Sequence, residues 1–178
     1  MYSMPVKDAE LWHLVEAKGE DDRPTMFRIR ELVPKMFLPD IFVAELPYAS
    51  VELSRLPDAA AYRRLAEFEE NWLRPACVAL GWTFVATKIA DGAAFFYAYG
   101  SGDSTPLVEK LSPFDGGLAF YDEHDEEWSE YSAIRELLDE ANALKDTVSA
   151  APAPRRPAAK PTKAAPARAR ASAKKKPK

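Results

Sequence analysis

The sequence predicts an α+β fold, in which a mostly antiparallel sheet carries two helices on one face and is followed by a disordered C-terminal tail. Three observations point there. Strand-like segments outnumber helix-like ones; an Asp-Gly pair joins two of the strands as only a tight hairpin turn would; and all hydrophobic periodicity stops near Val148. The expected division is an acidic α+β domain over residues 1–147 and a basic Ala/Pro/Lys/Arg-rich tail over residues 148–178.

Leu11 to Lys18 reads as the first strand, GEDDRP (Gly19–Pro24) as its turn and Thr25 to Leu32 as the returning strand. Met26, Arg28 and Arg30 alternate there with Phe27, Ile29 and Glu31, so one face is wetter than the other. Pro34 and Pro39 interrupt the chain before a third strand, IFVAELPY (Ile41–Tyr48). Asp58 then stands as the N-cap of a helix reaching about Leu80, with Tyr62, Leu65, Phe68, Trp72, Leu73 and Ala76 as its buried stripe. Glu67, Glu69 and Glu70 are read as the solvated side of that helix. Pro75 lacks an N–H and crowds the preceding turn, so it must kink the helix or start a new one. Trp82–Ile89 and Ala93–Tyr99 form the hairpin around Ala90-Asp91-Gly92. SGDSTP (Ser101–Pro106) is a loop, Leu107–Leu111 a short helix and Gly117–Tyr121 the last strand. Trp128, Tyr131, Ile134, Leu137, Leu138, Ala141 and Leu144 mark a second amphipathic helix beginning after Asp125.

The tail, APAPRRPAAKPTKAAPARARASAKKKPK, has no apolar side chain larger than Ala or Pro, too little to offset the entropy of ordering it. Prolines at 152, 154, 157, 161, 166 and 177 exclude a continuous helix. Charge divides with composition. Ten of the 24 basic residues and none of the 28 acids fall in residues 151–178, which gives about −14 for the first 150 residues and about +10 for the rest. Cys77 is the only cysteine, so no intrachain disulfide forms and a reducing cytoplasm is the expected compartment. The N-terminus has no apolar run after a basic start, and no stretch approaches the roughly 20 apolar residues of a membrane-spanning helix.

The densest group of reactive side chains is DEHDEEWSEY (Asp122–Tyr131), six carboxylates and one of two histidines in ten positions. A metal would draw on His124 with Asp122, Asp125 or Glu126, but zinc prefers several His or Cys ligands and a calcium loop needs its own spacing and a glycine. An acid–base pair would need one member crowded or buried, and these neighbours read as solvent-facing. The mechanically simplest reading is a helix start, with Asp125 accepting from free backbone N–H groups and Glu126 and Glu127 at the positive end of the helix dipole. GSGDS (Gly100–Ser104) lacks the glycine pattern of a nucleophile elbow and a phosphate-loop lysine. Cys77, among Ala76, Val78 and Leu80, reads as a buried thiol. DGAAFFYAY (Asp91–Tyr99) partly fits the aromatic strand of RNA-recognition motifs, but Asp91 replaces a basic residue and Ala93 and Ala98 replace stacking aromatics. Its rings are expected in the core. No catalytic, cofactor-binding or metal-binding residue is assigned.

IFVAELPY, LPDAAAYRRLAEFEENWL, the hairpin ending in FFYAYG and D-E-E-W-S-E-Y together resemble the bacterial family called domain of unknown function 695, over roughly Leu11 to Leu144. That family is more distantly similar to the regulator of ribonuclease E activity B, small acidic inhibitors with a ferredoxin-like fold and a W-x-x-Y near a late element. The matching positions are Trp128 and Tyr131, with Asp125 opening the motif. The resemblance implies a ferredoxin-like α+β sandwich, no established enzyme activity and no cofactor.

The function expected from these features is that of a non-enzymatic binding or regulatory protein. Its acidic domain is tethered to nucleic acid or another polyanion by Arg155, Arg156, Lys160, Lys163, Arg168, Arg170, Lys174, Lys175, Lys176 and Lys178. One alternative is a protein-binding regulator of an enzyme such as a ribonuclease, acting through the acidic domain. Another is an uncharacterised hydrolase using the scattered carboxylates, for which no nucleophile–base set is visible. No membrane partner is expected.

Overall fold

The computed structural model describes residues 10–19 and 22–149; of the predicted disordered tail (148–178) the part from Ala150 onward lies outside these residues, as does the tip of the first turn, whereas Val148 and Ser149 still belong to a helix. Six strands form one sheet: β1 (Trp12–Lys18), β2 (Pro24–Arg30), β3 (Asp40–Pro47), β4 (Thr83–Ala90), β5 (Ala93–Gly100) and β6 (Ala119–His124). Their order is β1-β2-β4-β5-β3-β6, and every neighbouring pair is antiparallel. The α+β class and the antiparallel sheet are therefore as the sequence predicts.

Between β3 and β4 the chain makes α1 (Ala59–Glu67), a π-helical segment (Phe68–Leu73) and α2 (Arg74–Leu80). Asp58 caps α1, its Oδ1 accepting from the N–H groups of Ala60 at 2.9 Å and Ala61 at 2.8 Å. The effect expected of Pro75 is visible just before it. The Arg74 N–H donates to the Glu69 carbonyl, five residues back, so the ladder widens before the residue that cannot donate. The β4–β5 hairpin turns on Asp91 and Gly92, both at positive φ (50° and 90°), the geometry of a two-residue type I′ turn. At the other end of β5, any side chain on Gly100 would collide with the Trp82 ring, so glycine is the residue that lets β5 close under that indole. A short helix, α3 (Thr105–Leu111), precedes β6, and α4 (Ser129–Ser149) follows it.

The helices do not share one face. Phe42, Ala44 and Leu46 of β3 join Ala94, Phe96 and Ala98 of β5 in a core covered by Leu65, Phe68, Leu73, Leu107 and Leu111, from the first helical stretch and α3. The intervening residues, Ile41 and Val43 with Tyr97 and Tyr99, face the opposite way into a second core with Trp128, Tyr131, Ile134 and Leu138 of the α4 region. The two long helices thus sandwich the sheet. The physical reason lies in the central strands, which read as nearly continuous apolar runs without alternation. Helices on one side alone would have left Ile41, Val43 and Tyr99, all fully buried here, in water.

Candidate functional site

The acidic stretch spans the exit of β6 and the entry of α4. Asp122, Glu123 and His124 belong to the edge strand and are exposed, as are Glu126 and Glu127 in the turn that follows. The helix begins at Ser129, not directly after Asp125, because a turn closed by the Trp128 N–H donating to the Asp125 carbonyl (3.0 Å) intervenes. Asp125 nonetheless caps it. Its carboxylate accepts from the N–H groups of Ser129 (2.7 Å) and Glu130 (3.1 Å) and from the Tyr99 hydroxyl (2.6 Å). Burial acts to raise the Asp125 pKa, but these donors outweigh it and hold the carboxyl below its ordinary value. The Tyr99 hydroxyl is pushed up, first by burial and then by the carboxylate it faces.

The two aromatic positions of the motif complete a lock between helix and sheet. Trp128 stands at a φ of 57°, a region that bulky residues seldom occupy. There its ring stacks on Tyr99, with centroids 4.0 Å apart and planes 11° from parallel, and its Nε1 donates to the Leu38 carbonyl at 2.9 Å. The Tyr131 hydroxyl donates to the Arg30 carbonyl (2.8 Å) and accepts from the Leu32 N–H (3.2 Å). Trp128 and Tyr131 are 0% and 1% exposed, so both are core anchors and neither offers a face to a partner.

A second polar cluster lies on the other face, where the sequence reading placed only solvated glutamates. Glu69 is 5% exposed. Arg28 Nη1 donates to both its carboxylate oxygens, at 2.6 and 2.8 Å, and Arg74 Nε donates to Oε1 at 2.9 Å. Arg74 also reaches Glu10 at 2.8 Å, and Glu10 pairs with Arg30 at 3.1 Å. The Trp12 ring lies against both guanidinium groups, 4.5 Å from that of Arg28 and 4.8 Å from that of Arg74. Burial disfavours the Arg74 cation, but Glu10 and Glu69 more than compensate and raise its pKa. The cluster fastens the start of β1 to the π-helical segment. Its signal in the sequence was periodicity: Glu69 falls four residues after Leu65 and four before Leu73, on the buried stripe itself.

His124 pairs with Asp40 at 2.9 Å and His13 with Glu31 at 2.9 Å, on different parts of the surface. Among the described residues no group of three or more His, Cys, Asp or Glu side chains converges as a metal site would. Cys77 is buried, and burial pushes its thiol up to about 12, far from a nucleophile's range. Phe96, Tyr97 and Tyr99 are buried as expected of core rings, whereas Phe95 is half-buried and packs against the second core. No helix among the described residues is long and apolar enough to cross a membrane. The ten basic residues from Arg155 to Lys178 lie outside the described residues. Compared with protein-family models, curated proteins and solved structures, the chain matches none of them.

Proposed function

We propose that this is a non-enzymatic binding protein in which an acidic folded domain is held near nucleic acid or another polyanion by the basic segment 151–178. One observation carries the reading: ten cations and no acid in 28 residues, attached to a body near −14. Counterion release from phosphates requires charge density and no fixed geometry, so composition alone supplies this affinity. The motif residues Asp125, Trp128 and Tyr131 support a structural rather than catalytic use of the acidic stretch, since their polar atoms are engaged by the backbone and by Tyr99. A ferredoxin-like core is supported by the run β3–α–β4–β5–α–β6 with spatial order β4-β5-β3-β6, to which the β1–β2 hairpin and α4 are additions. That plan accords with the resemblance to the domain of unknown function 695 and, more distantly, to the regulator of ribonuclease E activity B. A lone buried cysteine suits the reducing cytoplasm.

The test compares the full chain with a Met1–Ala150 truncation, checked for retained circular dichroism, on DNA and RNA across a salt series. If about 6–8 cations engage phosphates, log K against log salt should slope by roughly −4 to −7 for the full chain, with binding lost on truncation. Undiminished binding by the truncated protein refutes the proposal. A second reading, regulation of an enzyme such as a ribonuclease, is favoured by the exposed carboxylates of Asp122, Glu123, Glu126, Glu127 and Glu130 around one sheet edge. Recovery of a ribonuclease by the truncated domain in a pull-down would support that reading.

A further inference from the structure

The sheet ends in two edges, β1 and β6, which differ in charge. β6 bonds only to β3. The Asp125 N–H donates to the Pro39 carbonyl at 2.7 Å, in step with the β3–β6 register, so Ala119, Tyr121 and Glu123 also point their backbone groups at β3. By alternation Phe120, Asp122 and His124 point theirs outward, and among the described residues these groups have no backbone partner. Proteins protect such edges with proline, a bulge or lysine, because bare N–H and C=O groups template another strand. The β6 sequence, AFYDEH, has none of the three. Its protection is negative charge, which repels some strands and attracts others.

The α4 side of this edge concentrates that charge. Tyr121, 46% exposed, has its phenol pushed up first by burial and then by Glu130, Glu123 and Glu45, which stand near it on α4, β6 and β3. Among the described residues none of these three carboxylates is in an ion pair. A second copy of β6 laid alongside would set Asp122 and Glu123 against their own kind, so like charge closes the edge to self-pairing. β1 offers no such field, since it carries Lys18 beside Glu16 and its His13 already pairs with Glu31.

The chain itself supplies a strand of the opposite sign. Residues 167–174, ARARASAK, alternate strictly and lie in the longest run without proline in the basic segment, 167–176. Extended, they place Arg168, Arg170, Ser172 and Lys174 on one face and four alanines on the other. The cationic face matches Glu45, Glu123 and Glu130, with an arginine within reach of the Tyr121 ring. The connection is long enough. α4 has 21 residues, about 31 Å, and packs on β1, β2 and β4, so it leads away from β6. The 17 residues 150–166 span up to about 50 Å when extended, sufficient to return.

We propose that the outer edge of β6 is a docking site for residues 167–174 of the same chain, which add to the sheet as a further strand. Main-chain bonds to Phe120, Asp122 and His124 supply the pairing, and the three glutamates select a basic strand over any other. The proposal does not rest on polyanion binding and its test contains no polyanion, so each can fail alone.

The test is amide exchange in the ¹⁵N-labelled full-length protein at low salt. A linker of this length holds the segment at about millimolar effective concentration, so an intrinsic affinity of about 0.1 mM slows exchange about tenfold at Phe120, Asp122 and His124. The double variant Ala171→Pro with Ser172→Pro keeps all ten cations but removes one N–H on each side of the added strand, and should return these amides to unprotected rates. Glu123→Gln with Glu130→Gln, both at exposed positions, should lower the protection about threefold, the worth of one exposed ion pair. The proposal is overturned by unprotected amides in the wild-type chain, by protection that survives the two prolines, or by protection indifferent to the two glutamine substitutions. Protection found instead at Leu14 and Glu16 of β1 overturns the choice of edge. Protection that grows with protein concentration also overturns it, since the strand would then come from a second copy.

Discussion

Removing the Asp125 carboxylate tests the reading of the acidic stretch most directly. Asp125→Ala takes away the acceptor for two N–H groups at the start of α4 and for the Tyr99 hydroxyl beneath them. Loss of a capping acceptor costs about 1 kcal/mol. A largely buried tyrosine hydroxyl deprived of its acceptor adds about 1–2 kcal/mol, near the lower part of the range for unsatisfied groups because the hydroxyl still accepts from the Tyr131 N–H at 3.2 Å. The expected loss is therefore about 2–3 kcal/mol, read from urea unfolding followed by tryptophan fluorescence and circular dichroism. Tyr99→Phe removes the hydroxyl itself, so the double variant should lose less than the sum of the singles by about 1–2 kcal/mol. Asp125→Asn, which keeps a capping oxygen, should fall between wild type and Asp125→Ala. The same carboxylate sets an acid sensitivity. Its folded-state pKa is depressed below the ordinary 3.8, so its stabilisation is present above that value and is lost as pH falls through the folded pKa. In Asp125→Ala this part of the acid dependence should vanish. A stability change under about 0.5 kcal/mol, or strict additivity with Tyr99→Phe, would sink the argument that this acid is a structural cap.

Three further outcomes follow from the geometry. Glu69→Gln should lower stability by about 1–2 kcal/mol with an unchanged denaturant slope, a modest figure because the Arg28 side chain is 41% exposed and water can replace part of its pairing; an unaltered midpoint would mean that the ion cluster contributes nothing. Cys77 should ignore a thiol reagent in the native protein near neutral pH and react fully once unfolded, since burial keeps it protonated and covered; rapid native labelling would contradict its place in the core. The hydrogen bond that His124 donates to the Asp40 carboxylate raises the His124 pKa, so any stabilisation from this pair is present below the ordinary 6.5, as long as Asp40 is ionised, and is lost as pH rises through the folded-state value. A proton NMR titration should therefore find His124 titrating above the ordinary 6.5, and Asp40→Asn should move it down; no response to Asp40→Asn would rule out the pair in solution.

Much of the fold was legible because it is written locally. The Asp91-Gly92 turn, the Asp58 cap and the disturbance before Pro75 each depend on a few neighbouring residues whose backbone preferences act alone. Trp128 and Tyr131 were legible as an apolar pair on a helical period, and burial is what that pattern most often means. Glu69 was misread because its polarity outweighed its position; only partners 41 and five residues away, Arg28 and Arg74, make that position habitable for a charge.

Sequence by itself determined the class of fold, most of the strands and helices, and the separation of an acidic body from a cationic end. These follow from chain-local sterics and from counting apolar and charged side chains. Tertiary structure decided which face each helix covers, that Asp125 serves Tyr99 as well as α4, and that Glu69 is buried between two arginines. Such facts depend on contacts between residues distant along the chain, and composition and periodicity specify that a surface must be buried without specifying what buries it.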